Sequence, residues 1–201
     1  MASILVVCTG NICRSPLAEG LLRQALDLRF PSGGPTVASA GTSGWEGSPA
    51  HPDTVRAALE RDVDLSGHLA RRLVRDHLEE ADLILAMAAE HRSAMRQGFP
   101  EGVPRTFTLK ELGRLLEALY PAPPEEAFDP DQLRRRVAEA EALRRSIGPV
   151  QPLDEDVVDP LGLSIETFRA VGWELAEWSN RLVAGLFGKV PARTSIRDAD
   201  E

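Results

Sequence analysis

Residues 6–22 read VVCTGNICRSPLAEGLL, and the folding of that stretch decides the architecture. An apolar run ends at Cys8, a short turn passes through Thr9, Gly10 and Asn11, and Ser15-Pro16 open a segment with Leu17, Leu21 and Ala25 at helical spacing. Proline is tolerated in the first turn of a helix, so the pattern reads as strand, tight loop, helix. A cysteine that closes a buried strand is ordinarily a small hydrophobic side chain. This one is followed by a loop long enough to curl, so that successive backbone N–H groups point inward and cradle a tetrahedral oxyanion at a helix N-terminus.

Similar runs recur outward from the loop: ILVVC at 4–8, TVASAG at 36–41, DLILAM at 82–87 and RTFTL at 105–109. They are too apolar to be half-exposed. Continuous apolar strands alternating with helices imply an α/β fold, a doubly wound four-stranded parallel sheet flanked by helices and joined by right-handed crossovers. Val55, Ala58 and Leu59 mark a second helix, and Met95 closes one that starts near Ala89. Phe168, Val171, Leu175, Trp178, Leu182 and Leu186 form a stripe beginning after Ser164, a good N-cap residue; the stripe, with Trp173 beside it, is assigned to the core.

Leu109, Leu112, Leu115, Leu116 and Leu119 fit one helix, YPAPPEEAFDP breaks it, and Leu133, Val137, Ala140 and Ile147 fit a charged second helix ending at Gly148-Pro149. This is expected to be a helical insertion over about 112–150, its arginine and glutamate runs a solvated face or a surface for a protein partner. The polar tail, residues 189–201, is expected to be disordered.

The 201 residues suffice for one domain with a real core, and 43% hydrophobic with 27% charged residues is an ordinary globular composition. A net charge of −8 argues against nucleic-acid binding, and no apolar run approaches membrane-spanning length. Only Met1-Ala2-Ser3 precede the first strand, which leaves no room for a signal peptide and makes the cytoplasm the expected location. Cys8 and Cys13 are too few for a disulfide scaffold and badly matched to a zinc site, so neither a metal nor a cofactor is expected.

Each loop residue then has a physical task. A positive nest at a helix N-terminus favours the thiolate form of Cys8, which is a nucleophile. The planar fork of Arg14 can take two phosphoryl oxygens at once. Gly10 is expected to supply backbone angles that a side chain would resist, and the Asn11 amide to tie the loop to itself. Cleavage of a phosphoester by a thiolate also needs an acid for the departing oxygen; Asp154, Asp156 and Asp159 in DEDVVDPLG are equivalent candidates by sequence.

VCTGNICRSP followed by LAEGLL resembles the signature of the low-molecular-weight protein tyrosine phosphatases, and the likeness runs through most of the chain apart from the insertion and tail. The resemblance implies a single phosphatase domain over residues 1–188, a phosphorylated protein as substrate, Cys8 as nucleophile and Arg14 as phosphate-binding arginine. It also implies that Thr9, Gly10, Asn11, Ile12, Cys13 and Ser15 form the binding loop, that Ser15 steadies the thiolate, and that Asn11, Ser15, Ser39 and His68 hold the loop in shape. The family places its general acid in an Asp-Pro pair before the final helix, which selects Asp159-Pro160. Trp45 is similar to the family's aromatic at the pocket rim, and Cys13 to a partner for a reversible disulfide with Cys8.

Departures from that pattern carry information. The usual Asp-Pro-Tyr-Tyr is here Asp159-Pro160-Leu161-Gly162, and Ala88 stands where relatives commonly carry aspartate. A related branch that removes phosphate from arginine typically has threonine at the position of Ile12, so Ile12 favours phosphotyrosine while Gly162 leans toward phosphoarginine. Arsenate reductases, which share the fold, need further cysteines, and none follows Cys13. A phosphoprotein-binding regulator of weak turnover is the alternative from another class, motivated by Ala88 and Leu161 and opposed by retention of Cys8, Arg14 and Asp159 together.

Overall fold

The computed structural model describes residues 2–148 and 155–189. Its elements run β1 (Ser3–Cys8), α1 (Arg14–Arg29), β2 (Thr36–Gly41), α2 (Pro52–Leu59), α3 (Arg75–Glu80), β3 (Leu83–Ala86), α4 (Ala89–Gly98), a 3-10 turn (Pro100–Arg105), β4 (Thr106–Thr108), α5 (Leu109–Ala118), α6 (Pro130–Ile147) and α7 (Ile165–Phe187). The four strands form one sheet in the order β2-β1-β3-β4, every pair parallel. β1 lies where the strand order reverses, so its carboxyl end opens onto the crevice in which doubly wound sheets bind ligands.

Side chains alternate along β1 because successive residues point to opposite faces. Ile4, Val6 and Cys8 join a core built with α1, α5, α6 and α7, while Leu5 and Val7 join a smaller one with Leu78, Met95 and Phe99. Both faces are covered, which is why the strands read as continuous apolar runs. α7 holds the larger layer together through Val171, Leu175, Trp178, Leu182 and Leu186, while Phe168, at its start, is buried in a separate small cluster with Ile12 and Cys13. Truncating Leu182 to alanine would cost about 2–5 kcal/mol.

Several helical details depart from sequence expectation. On α2 the buried face is Thr54, Ala57 and Ala58, with Leu59 exposed. Trp173 lies off the α7 stripe at 60% exposure, and Ile147 on α6 is also exposed. Ser164 occupies the α7 N-cap, but its hydroxyl makes no capping bond. α3 buries only Leu78, which leaves no apolar period to read.

The insertion is more embedded than a solvated face. α5 starts from a capping box, in which the Thr108 hydroxyl accepts the Glu111 N–H and Glu111 reaches back to the Thr108 N–H. α6 starts with Asp129 accepting the Asp131 N–H and with Pro130 in its first turn, and it ends at Gly148, whose φ is 70°. Arg136 and Glu141 are buried on it. Arg136 donates to the Gly185 carbonyl, and Arg144 to the carbonyls of Val103 and Thr106. The arginines bind carbonyl groups that the ends of neighbouring elements leave open. The expected disorder of residues 189–201 and the candidate Asp154 lie outside the described residues, apart from Lys189. Among the described residues no helix is long and apolar enough to cross a membrane.

Candidate active site

The loop over residues 9–13 carries the chain from the end of β1 to Arg14, the first residue of α1. Five consecutive carbonyls are drawn outward. Those of Cys8, Thr9, Gly10 and Ile12 accept the backbone N–H groups of Thr42, Ser43, Trp45 and His51 at 2.9–3.1 Å. The Asn11 carbonyl accepts from His68 Nε2 at 2.7 Å, which fixes that ring proton on Nε2 because a carbonyl can only accept. In a planar trans peptide the N–H points opposite to its C=O, so the same ladder turns the loop's N–H groups toward the centre. The Asn11 N–H reaches Cys8 Sγ at 3.3 Å.

Asn11 is the structural pivot. Its φ of 58° is left-handed, which asparagine tolerates better than most side chains. Its Nδ2 donates to Ser15 Oγ at 2.9 Å and Ser39 Oγ at 2.8 Å, and its Oδ1 accepts the Arg71 N–H at 2.9 Å. Ser15 Oγ thus already accepts from Asn11, leaving its hydroxyl proton to donate to Cys8 Sγ, 2.9 Å away. Cys8, Asn11 and Ser15 are all buried, so these bonds form away from competing water.

The expectation for Gly10 needs correction. Gly10 is not left-handed, and a Cβ on it would sit 3.5 Å from the Ile12 side chain, an ordinary contact. The glycine the loop requires is Gly41 at the end of β2, where a Cβ would lie 2.5 Å from the Thr9 carbonyl oxygen and 3.0 Å from the Asn11 nitrogen.

Arg14 is 4% exposed and bridges the loop to the segment before α7. Its Nη2 lies 2.6 Å from Asp159 Oδ2 and 3.4 Å from Thr9 Oγ1, and its Nη1 donates to the Val157 carbonyl at 3.3 Å. Asp159 Oδ1 accepts the Leu161 N–H, while the carboxylate stays half open to solvent. Asp156 is differently occupied: its Oδ1 accepts the Ala89 N–H at 2.7 Å. Ala88 leaves the start of α4 without a side-chain cap, and Asp156 supplies that acceptor from a distant part of the chain.

The pocket enclosed by these groups measures about 90 Å³ and is lined by Cys8, Thr9, Gly10, Ile12, Cys13, Arg14, Trp45, Asp159 and Leu161. Larger hollows of about 860 and 760 Å³ lie beside α6. A phosphoryl group needs little volume and many donors, so size does not select between them. Trp45 and Leu161, both partly exposed, flank the mouth. Ile12 and Cys13, which line the pocket, also pack with Ala57, Ala70 and Phe168, and burial pushes the Cys13 thiol up to about 11.

His91 is a participant that no motif announced. It is 2% exposed on α4, and its Nε2 lies 2.9 Å from Thr9 Oγ1, the atom that Arg14 also approaches. Burial, reinforced by the Arg14 charge, pulls it down to about 4, so it is neutral at physiological pH. The available signal was helical spacing, since His91 precedes the buried Met95 by one turn.

A sequence model of the family described as low molecular weight phosphotyrosine protein phosphatase matches residues 3–115. The probable low molecular weight protein-tyrosine-phosphatase EpsP of Ralstonia solanacearum is 40% identical over 110 residues, covering 55% of this chain and 72% of that protein. A protein-arginine-phosphatase of Geobacillus stearothermophilus is 31% identical over 183 residues, covering 91% and 95%. Among solved structures, the YwlE arginine phosphatase of Geobacillus stearothermophilus matches with a TM-score of 0.67 at 30% identity, over 92% of this chain and 93% of that one. The tyrosine phosphatase Wzb of Escherichia coli K30, in complex with sulphate, matches with a TM-score of 0.65 at 27% identity, over 92% and 97%.

Proposed function

The chain belongs to the low molecular weight phosphotyrosine protein phosphatase family, and from that premise we propose that it hydrolyses phosphotyrosine in proteins through a phosphocysteine intermediate, with Cys8 as nucleophile, Arg14 and the loop N–H groups as phosphate ligands, and Asp159 as general acid and then base. As a member of this family it is a phosphoric monoester hydrolase acting on phosphoproteins. The observation that supports the residue assignments is the convergence on one small pocket of Cys8, whose sulfur has Ser15 Oγ and the Asn11 N–H as partners, and the Arg14–Asp159 pair.

In the first step Cys8 Sγ attacks phosphorus. The S–P bond forms as the ester P–O bond breaks, and the Asp159 carboxyl proton passes to the departing phenolate oxygen. Water then attacks phosphorus, the Asp159 carboxylate takes its proton, and the S–P bond breaks to release phosphate. Arg14 and the inward N–H groups stabilise the charge spread over the equatorial oxygens in both steps. Arg14 pairs with Asp159, so an incoming phosphoryl group competes for the guanidinium and frees the carboxyl.

Phosphotyrosine is favoured by the apolar Ile12 within the pocket and by Trp45 at its mouth, which can stack on a ring. The second reading, a protein arginine phosphatase, is supported by a relative so described that aligns over 91% of the chain. A cytoplasmic setting belongs to the proposal because the chemistry depends on a reduced Cys8. A protein partner on the insertion belongs to it as well, supported by the 92% exposure of Tyr120.

The deciding experiment is turnover of phosphotyrosine and phosphoarginine peptides by the wild-type protein and Cys8→Ser, with reductant present. Preferential release from phosphotyrosine, abolished in Cys8→Ser, is expected. Preferential release from phosphoarginine would transfer the assignment to the second reading, and release by Cys8→Ser at the wild-type rate would remove the nucleophile.

A further inference from the structure

The proposed general-acid segment takes several of its polar holds from the region between β3 and α4. Val157 N–H donates to the Met87 carbonyl, Asp156 accepts from Ala89 N–H, and Glu155 faces Arg92, so among the described residues the polar holds on 155–157, apart from that of Arg14 on the Val157 carbonyl, come from just after β3 and from the first turn of α4, while the Val157 side chain is buried in the larger core. Beyond Val157, Asp159 touches, among the described residues, Arg14 and the Leu161 N–H in hydrogen-bond or ionic contact. Those holds therefore share in setting where the Asp159 carboxyl lies, together with the burial of Val157 and the turn into α7 in which the Leu163 N–H donates to the Pro160 carbonyl.

One of the holds continues into the insertion. Arg92 Nη1 lies 2.6 Å from Glu111 Oε2 on α5, and Arg92 Nη2 lies 3.0 Å from Glu155 Oε2. Glu111 also accepts the Thr108 N–H and lies 3.5 Å from Arg144 Nη1. Arg144 belongs to α6, where it pairs with Glu141 and is anchored on the Val103 and Thr106 carbonyls. The side chains of Arg92, Glu111, Glu155, Arg144 and Glu141 are each at most 20% exposed. Burial draws the Glu155 carboxyl above its ordinary range, and the Arg92 charge counteracts that pull.

A shielded ion network of this kind is a poor source of stability, because apolar side chains of similar volume would serve as well or better. What it does provide is a defined geometry between the elements it joins. We propose that Arg92 and Glu155 are positioning residues for Asp159, and that the Glu141–Arg144–Glu111 chain makes the helical insertion part of the same device. The proposal rests on Asp159 being the general acid. It assigns to the insertion a share in leaving-group protonation, without contact between the insertion and the substrate.

The test uses leaving groups that differ in their need for a proton. Phenyl phosphate must be protonated as the P–O bond breaks, whereas 2,4-dinitrophenyl phosphate departs as a stabilised phenolate. Arg92→Met is expected to lower kcat/KM for phenyl phosphate about 10-fold, a fraction of the roughly 10²- to 10⁴-fold that a general acid contributes. It should leave the dinitrophenyl ester and the inhibition constant of vanadate nearly unchanged. Arg92→Lys should recover part of the loss, and Arg144→Met should show the same selectivity between esters. Should Arg92→Met fail to fold, Glu155→Gln carries the same comparison, since it removes the charge and keeps the shape. Combined with Asp159→Ala, none of these changes should cost anything further.

Equal losses on both esters, or a further loss in the Asp159→Ala background, would overturn the positioning role. If Asp159→Ala itself does not distinguish the esters, the acid assignment falls and the coupling falls with it. If Asp159→Ala distinguishes them and the Arg92 and Glu155 variants do not, the coupling alone falls.

Discussion

A single methyl group at position 41 would collide with the loop proposed to bind phosphate. The Cβ of Gly41→Ala would lie 2.5 Å from the Thr9 carbonyl oxygen, and the obstacle is backbone, which cannot swing aside as a flexible side chain would. The carbonyl ladder that turns the loop's N–H groups inward would have to shift, at a cost of about 1–3 kcal/mol for forcing volume into packed structure. Gly41→Ala is therefore expected to lower the melting temperature and to weaken vanadate inhibition, while Gly67→Ala, with nothing within 4 Å of its Cβ, changes neither. Unchanged vanadate affinity in Gly41→Ala would show that the loop does not need this close approach. Sequence pointed instead to Gly10, because Gly10 is inside the motif and Gly41 is thirty residues away; the contact exists only once β2 lies beside β1. The tie made by the Asn11 amide was legible for the opposite reason, since its bond to Ser15 closes within a few residues, whereas the place of Ser15 beside Cys8 was implied by the family resemblance.

At the scale of elements, α4 depends on a residue that is not its own. Ala88 offers no side-chain acceptor, and Asp156 caps the helix across the chain. Asp156→Ala should lower stability toward the small end of the roughly 0.5–2 kcal/mol typical of caps, because the bond is exposed to water. Asp156→Asn keeps an acceptor and should recover most of the loss in urea unfolding; equal losses in the two variants would mean the cap contributes nothing. Elements were readable from sequence where one face alone is buried and the pattern is long, as in α7. They were not readable where tertiary partners replace period: α3 buries a single leucine, and the arginines of α6 look solvated until their carbonyl and glutamate partners arrive from other elements. The same limit applies to the site, whose contiguous half, residues 8–15, was legible, while the hold of Arg92 on Glu155 joins positions far apart in sequence.

For the molecule as a whole, the buried neutral histidine under the active-site loop makes stability depend on pH. His91 titrates near 4 when folded against 6.5 when solvated, with burial the main cause and Arg14 the next, and with Glu90, Asp156 and Asp159 acting in the opposite sense. Between those values the unfolded chain binds a proton that the folded chain refuses, so stability is fully present above about pH 6.5 and is lost as pH falls toward 4. The loss is roughly 1.4 kcal/mol for each pH unit of that window, as an upper bound. Glu155 works against this trend, since a carboxyl raised by burial takes up a proton more readily in the folded state. Cys13, raised from 9.0 to about 11, contributes stability that is lost only as pH rises through that alkaline range, so it does not overlap. The His91 contribution is consequently read as a difference. Urea unfolding of the wild-type protein and of His91→Gln from pH 4 to 7 should give a steeper acid-side decline for the wild type, and parallel curves would mean that His91 is as easily protonated in the folded chain as in water.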